Sequence, residues 1–128
     1  MIWIVEDDVS TQRIVVEHLK AKGFMTAVFD SAEKAHAGLQ TQTQPSLIIL
    51  DMLLPGMSGV DLVRLIKQNK DWEKIPIVVV TVLSQKENAG TEAEEKSAFW
   101  INKPFDAANL VQTVQNVLTS VGQEGKIH

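Results

Sequence analysis

The 128-residue sequence has no cysteine. Disulfides, thiolate nucleophiles and Cys-ligated zinc or iron–sulfur centres are therefore excluded. Basic residues are too few and too scattered to form a patch. Twelve Lys and Arg stand against sixteen Asp and Glu, for a net charge of −4. Binding along a nucleic-acid backbone wants a basic face, so no direct contact with nucleic acid is expected. Uninterrupted apolar runs reach only four or five residues, far short of the roughly 20 needed to span a bilayer. The opening Met-Ile-Trp-Ile-Val lacks the basic start and the length of a signal peptide. There is no internal repeat and no low-complexity stretch. His18, His36 and His128 lie apart on polar stretches with no metal-ligand spacing, and are expected at the surface. What these absences leave is a soluble, acidic, cytoplasmic single domain. A chain of this length buries about two-thirds of its unfolded surface without a covalent staple.

What is present is a rhythm. Short apolar runs alternate five times with longer amphipathic stretches, the pattern of a parallel sheet with crossover helices. Strands are predicted at Ile2–Val5, Phe24–Phe29, Leu47–Leu50, Ile77–Val82 and Phe99–Ile101. A first helix from about Ser10 to Lys22 carries Val15 and Leu19 on one face and stops at Gly23. Ser31 suits the N-cap of a second helix that turns Ala32, Ala35 and Leu39 inward. A third, Gly59 to Asn69, groups Leu62, Leu65 and Ile66. Asp106 caps a last helix striped with Leu110, Val114, Val117 and Val121. The stretch Gln85–Lys96 is almost wholly polar and reads as a helix on rhythm more than on content. Trp3 and Trp72 read as packing residues, and 122–128 as a polar tail behind a domain of 1–121. Five βα units are too few for a closed barrel. They give an α/β fold, one open doubly wound five-stranded sheet of order 2-1-3-4-5 with helices on both faces.

In such sheets ligands bind at the carboxyl ends of the strands, beside the point where strand order reverses. Glu6 and Asp7 leave the first strand there and Asp51 the third; Thr81 ends the fourth and Lys103 follows the fifth. Carboxylates crowded together destabilise a fold unless a cation sits among them. An all-oxygen set suits Mg²⁺, which keeps waters and leaves room for a phosphoryl oxygen. With Lys103 as fixed charge and Thr81 as donor, the parts suit phosphoryl transfer, and Asp51 is the natural nucleophile. Asp51 interrupts Leu-Ile-Ile-Leu-Asp-Met-Leu-Leu, where a charge must be paired or functional. Asp8 either caps a helix or faces solvent.

At these residues the sequence resembles the receiver domain of bacterial two-component response regulators. The resemblance rests on Ile-Val-Glu-Asp-Asp at 4–8, Leu-Asp-Met-Leu-Leu-Pro-Gly-Met-Ser-Gly at 50–59, Ile-Pro-Ile-Val-Val-Val-Thr at 75–81 and Asn-Lys-Pro-Phe at 102–105. It implies a flavodoxin-like fold and a phosphoacceptor rather than an enzyme that turns over external substrates. Asp51 would take the phosphoryl group from a sensor histidine kinase or a histidine phosphotransfer protein. Glu6, Asp7, Asp51 and the backbone carbonyl of Leu53 would hold Mg²⁺, while Thr81 and Lys103 bind the phosphoryl oxygens. The resemblance also implies a cis peptide before Pro104. Thr81 and Trp100 would form the switch, although Trp100 read alone is equally a packing residue. The face of the Gln85–Lys96 helix, the fifth strand and the last helix would then change protein partners, with homodimerisation on phosphorylation as one outcome. Val82 departs from the family, which mostly has a small residue there.

The expectation is a stand-alone receiver whose polar tail suits either a natural end or a cut before a linker. Two rivals stand beside it. A phosphohydrolase of haloacid-dehalogenase type wants a second Asp two residues after its nucleophile, where this chain has Leu53. A pseudo-receiver would bind a partner without phosphate.

Overall fold

The computed structural model describes residues 1–41, 43–81 and 98–127. Strands β1 (Ile2–Val5), β2 (Thr26–Phe29), β3 (Leu47–Asp51), β4 (Ile77–Thr81) and β5 (Phe99–Asn102) form one parallel sheet in the order β2-β1-β3-β4-β5. This is the expected architecture, and its cause is visible in the side-chain alternation. Trp3, Val5, Ile48, Leu50, Ile77 and Val79 turn to one face, beneath α2 (Ala32–Thr41) and α3 (Gly59–Gln68). Ile2, Ile4, Leu47, Ile49, Val78 and Val80 turn to the other, beneath α1 (Val9–Ala21) and a C-terminal helix, Ala107–Ile127. Central strands covered on both sides must be apolar at every position, as β3 is up to Asp51.

Each described helix starts on a side-chain oxygen that satisfies an N–H left without a partner in the first turn. Asp8 accepts from the Thr11 backbone at 2.9 Å and from its hydroxyl at 2.6 Å, so it caps the helix while remaining exposed to solvent. Ser31 accepts from Lys34 N–H at 3.1 Å, Ser58 from Asp61 N–H at 3.1 Å, and Asp106 from Ala108 N–H at 2.8 Å.

The differences from the sequence reading have local causes. β2 begins at Thr26, not Phe24, because the end of α1 takes up the preceding backbone: Gly23, at φ 88°, donates to Lys20, and Phe24 donates to Leu19. In α3 the buried set is Leu62, Val63 and Ile66, with Leu65 only half-buried. His36, expected at the surface, is half-buried with its ring edge-on to buried Trp72, centroids 5.7 Å apart. The last helix runs on through 122–127, within the stretch that composition marked as a polar tail. The Gln85–Lys96 helix, Val82, His128 and the Val121 side chain lie outside the described residues. Among the described residues, no helix is long and apolar enough to cross a membrane.

Candidate functional site

Three polar or charged residues are buried among those described: Glu6 at 4% exposure, Asp51 at 6% and Thr81 at 0%. All three stand at the carboxyl edge of the sheet, just beyond β1 and at the last positions of β3 and β4. Buried charge must be paired. Lys103 supplies the pair for both carboxylates, its Nζ lying 3.0 Å from Glu6 Oε1 and 3.5 Å from Asp51 Oδ2. Backbone brings it there: the Lys103 N–H donates to the Thr81 carbonyl at 2.7 Å, and the following peptide to Pro104 is cis.

The remaining carboxylate oxygens are held by main chain. Asp8 N–H donates to Glu6 Oε2 at 3.3 Å, and Leu53 N–H donates to Asp51 Oδ1 at 3.1 Å. The Leu53 side chain points outward, 52% exposed. Behind Asp51, α3 starts in contact with β3. A Cβ on Gly59 would lie 2.8 Å from both the Asp51 carbonyl oxygen and Met52 Cα, so no larger residue fits without moving backbone.

Asp7 is exposed, yet it completes a cluster. Glu6, Asp7 and Asp51 each offer a carboxylate oxygen, and these atoms lie within 4.8 Å of one another. Burial is the main cause that raises the Glu6 pKa; the hydrogen bond and charge of Asp51 add to it, and Lys103 opposes it. On Lys103 burial acts downward, but the hydrogen bond to Glu6 and the charges of Asp51 and Glu6 outweigh it and hold the ammonium above its ordinary value. One ammonium thus pairs with two of the three clustered carboxyl groups, and the all-oxygen donor set fits a hard divalent cation such as Mg²⁺.

Glu6, Asp7, Asp51 and Lys103, chosen from strand ends in the sequence, are therefore brought to one place. Thr81 is fully buried at the adjoining strand end. Trp100 stands further back on β5, level with Val79, half-buried against the core beneath α2 and α3. Sequence alone does not mark Gln12. Its side-chain amide donates to the backbone carbonyl of Glu6 from the first turns of α1. A polar residue early in a helix looks like a solvated one, and no periodicity signals a bond running back six residues into a strand end.

Residues 2–115 match the family model described as the response regulator receiver domain. The chain is 31% identical over 121 residues to the phosphate regulon transcriptional regulatory protein PhoB of Pseudomonas aeruginosa, covering 94% of this chain and 52% of that protein. It is 31% identical over 114 residues to the DNA-binding response regulator MtrA of Mycolicibacterium paratuberculosis, covering 89% and 49%. The chain thus spans about half the length of these curated relatives. Among solved structures, the signal receiver domain of a signal transduction histidine kinase from Syntrophus aciditrophicus superposes with a TM-score of 0.85 at 31% identity, covering 94% of this chain and 90% of that one. The chemotaxis protein CheY4 of Vibrio cholerae superposes with a TM-score of 0.79 at 25% identity, covering 91% and 96%. The chain belongs to the receiver domain family of two-component response regulators.

Proposed function

We propose that the chain is a phosphoacceptor switch in which Asp51 takes a phosphoryl group from a phosphohistidine on a sensor kinase or phosphotransfer protein. The observation that carries this reading is Lys103 seated between Glu6 and Asp51, with Asp7 completing the acidic cluster. An Asp51 oxygen attacks phosphorus while the P–N bond breaks. The imidazole nitrogen keeps the electron pair and takes a proton from water, leaving an acyl phosphate on Asp51. The Lys103 ammonium and the Thr81 hydroxyl offset charge on the phosphoryl oxygens. Water later attacks phosphorus, the P–O bond to Asp51 breaks, and inorganic phosphate leaves with the carboxylate restored. Glu6, Asp7, Asp51 and the Leu53 carbonyl would hold Mg²⁺, which when bound neutralises phosphoryl charge. The chain modifies itself and turns over nothing but its donor.

For output, Thr81 moves toward the phosphoryl group and Trp100 rotates further into the core it already borders. That two-state shift alters the face formed by β5 and the C-terminal helix, and with it the binding of a downstream protein or a second copy of the chain.

Intact mass after incubation with acetyl phosphate tests the chemistry, run with and without Mg²⁺ beside Asp51→Asn. One phosphoryl adduct is expected, dependent on Mg²⁺ and absent from the variant. No adduct, together with no response to beryllofluoride, would overturn the reading in favour of a receiver that binds its partner without phosphate.

A further inference from the structure

We propose that Gln12 is a positioning residue that sets the direction of Asp7 in the cation site; this rests on the Mg²⁺-dependent reading above. Glu6 is fixed at both ends of its carboxylate, Oε1 by Lys103 and Oε2 by the Asp8 N–H. Asp7 has no such hold. It is exposed, and among the described residues its carboxylate has no hydrogen-bond or ion-pair partner. Its aim is therefore inherited from the peptide plane that joins it to Glu6, because that plane is rigid. The oxygen of this same plane accepts the hydrogen bond from Gln12 Nε2.

Gln12 is a firm anchor for that bond. It is half-buried, and its own N–H donates to the Asp8 carbonyl at 3.0 Å in a turn capped by Asp8 on Thr11. On the other side of the junction, the Glu6 N–H donates to the Phe29 carbonyl at 3.0 Å. The strand thus fixes the near side of Glu6 and Gln12 fixes the far side, where the chain turns into Asp7. Without the amide, that carbonyl loses this partner, and the clustered carboxylate that lacks a bond of its own among the described residues loses its direction. Groups that orient metal ligands in this way typically govern affinity by about 10- to 100-fold.

The test uses Gln12→Met, which keeps the length and removes the donor, and Gln12→Ala, which removes the reach. Mg²⁺ affinity is measured by titration calorimetry, and the Asp7 amide is followed by NMR. In both variants the Mg²⁺ Kd is expected to rise about 10-fold and the Asp7 amide resonance to shift, while unfolding in EDTA changes little. Phosphorylation by acetyl phosphate should be slow at low Mg²⁺, with the deficit closing as Mg²⁺ is raised. Unchanged Mg²⁺ affinity in both variants, or an unchanged affinity with a lowered unfolding midpoint, overturns the role of Gln12 alone. A wild type that binds no Mg²⁺ overturns the phosphoacceptor reading and this inference with it.

Discussion

Glu6 shows what a site of this kind costs the chain before any ligand arrives. Its pKa is raised, chiefly by burial and then by Asp51, so the folded chain holds its proton more tightly than the unfolded chain does. The charged form therefore works against folding at neutral pH, and the penalty fades as pH falls through the raised pKa. In EDTA at pH 7, Glu6→Gln is expected to raise the thermal midpoint. The gain should be gone below the ordinary value of 4.5, where Glu6 is protonated in both states. A gain that persists unchanged to lower pH would show packing, not charge, as its source. Lys103 has the opposite sign: while its partner carboxylates are charged, its raised pKa keeps its contribution intact up to pH 10.5 and loses it as pH rises through the folded value. At this scale Asp51 and Lys103 were legible because a strand-end rule singled out where to look. Gln12 was not, because its role depends on which backbone oxygen its amide reaches.

Elements were legible where one physical cause dominated. β3 and β4 are aliphatic because both faces are covered, and no other element competes for such runs. β2 was read two residues too long because Phe24 and Met25 have strand composition while the Phe24 N–H is taken by the Leu19 carbonyl at the end of α1. Tertiary context overrode propensity there. The junction of β3 with α3 makes the next prediction. In Gly59→Ala the new methyl meets backbone atoms of Asp51 and Met52, which cannot swing aside as a side chain can. Overpacking of this kind costs about 1–3 kcal/mol, measurable by urea unfolding. The strain is transmitted to Asp51, so phosphorylation should slow as well. Gly23→Ala is the comparison: its φ of 88° makes alanine unfavourable, by roughly 1–2 kcal/mol, but nothing lies within 4 Å of the added methyl. Stability should fall in both variants and phosphorylation rate in Gly59→Ala alone. Equal rates in the two would mean that α3 yields without moving Asp51.

For the whole molecule, the decisive fact is topological. Glu6 and Lys103 are 97 positions apart in sequence, yet strand order and a common direction bring them within 3.0 Å. A site assembled from the ends of several strands exists only when the sheet is complete, so ligand binding and folding must be linked. A cation that binds the folded site and not the unfolded chain stabilises by about 2.7 kcal/mol at a concentration 100 times its Kd. For a chain of this size that corresponds to a rise of about 10 °C in Tm. Calorimetric scans with MgCl₂ should show such a rise, and NaCl at matched ionic strength should not. Asp51→Asn removes one of the three clustered carboxylates, so it should begin with a higher metal-free midpoint and gain much less from Mg²⁺. An equal Mg²⁺ gain in wild type and Asp51→Asn would place the cation elsewhere on this acidic chain and remove the reason for grouping the strand ends as one site.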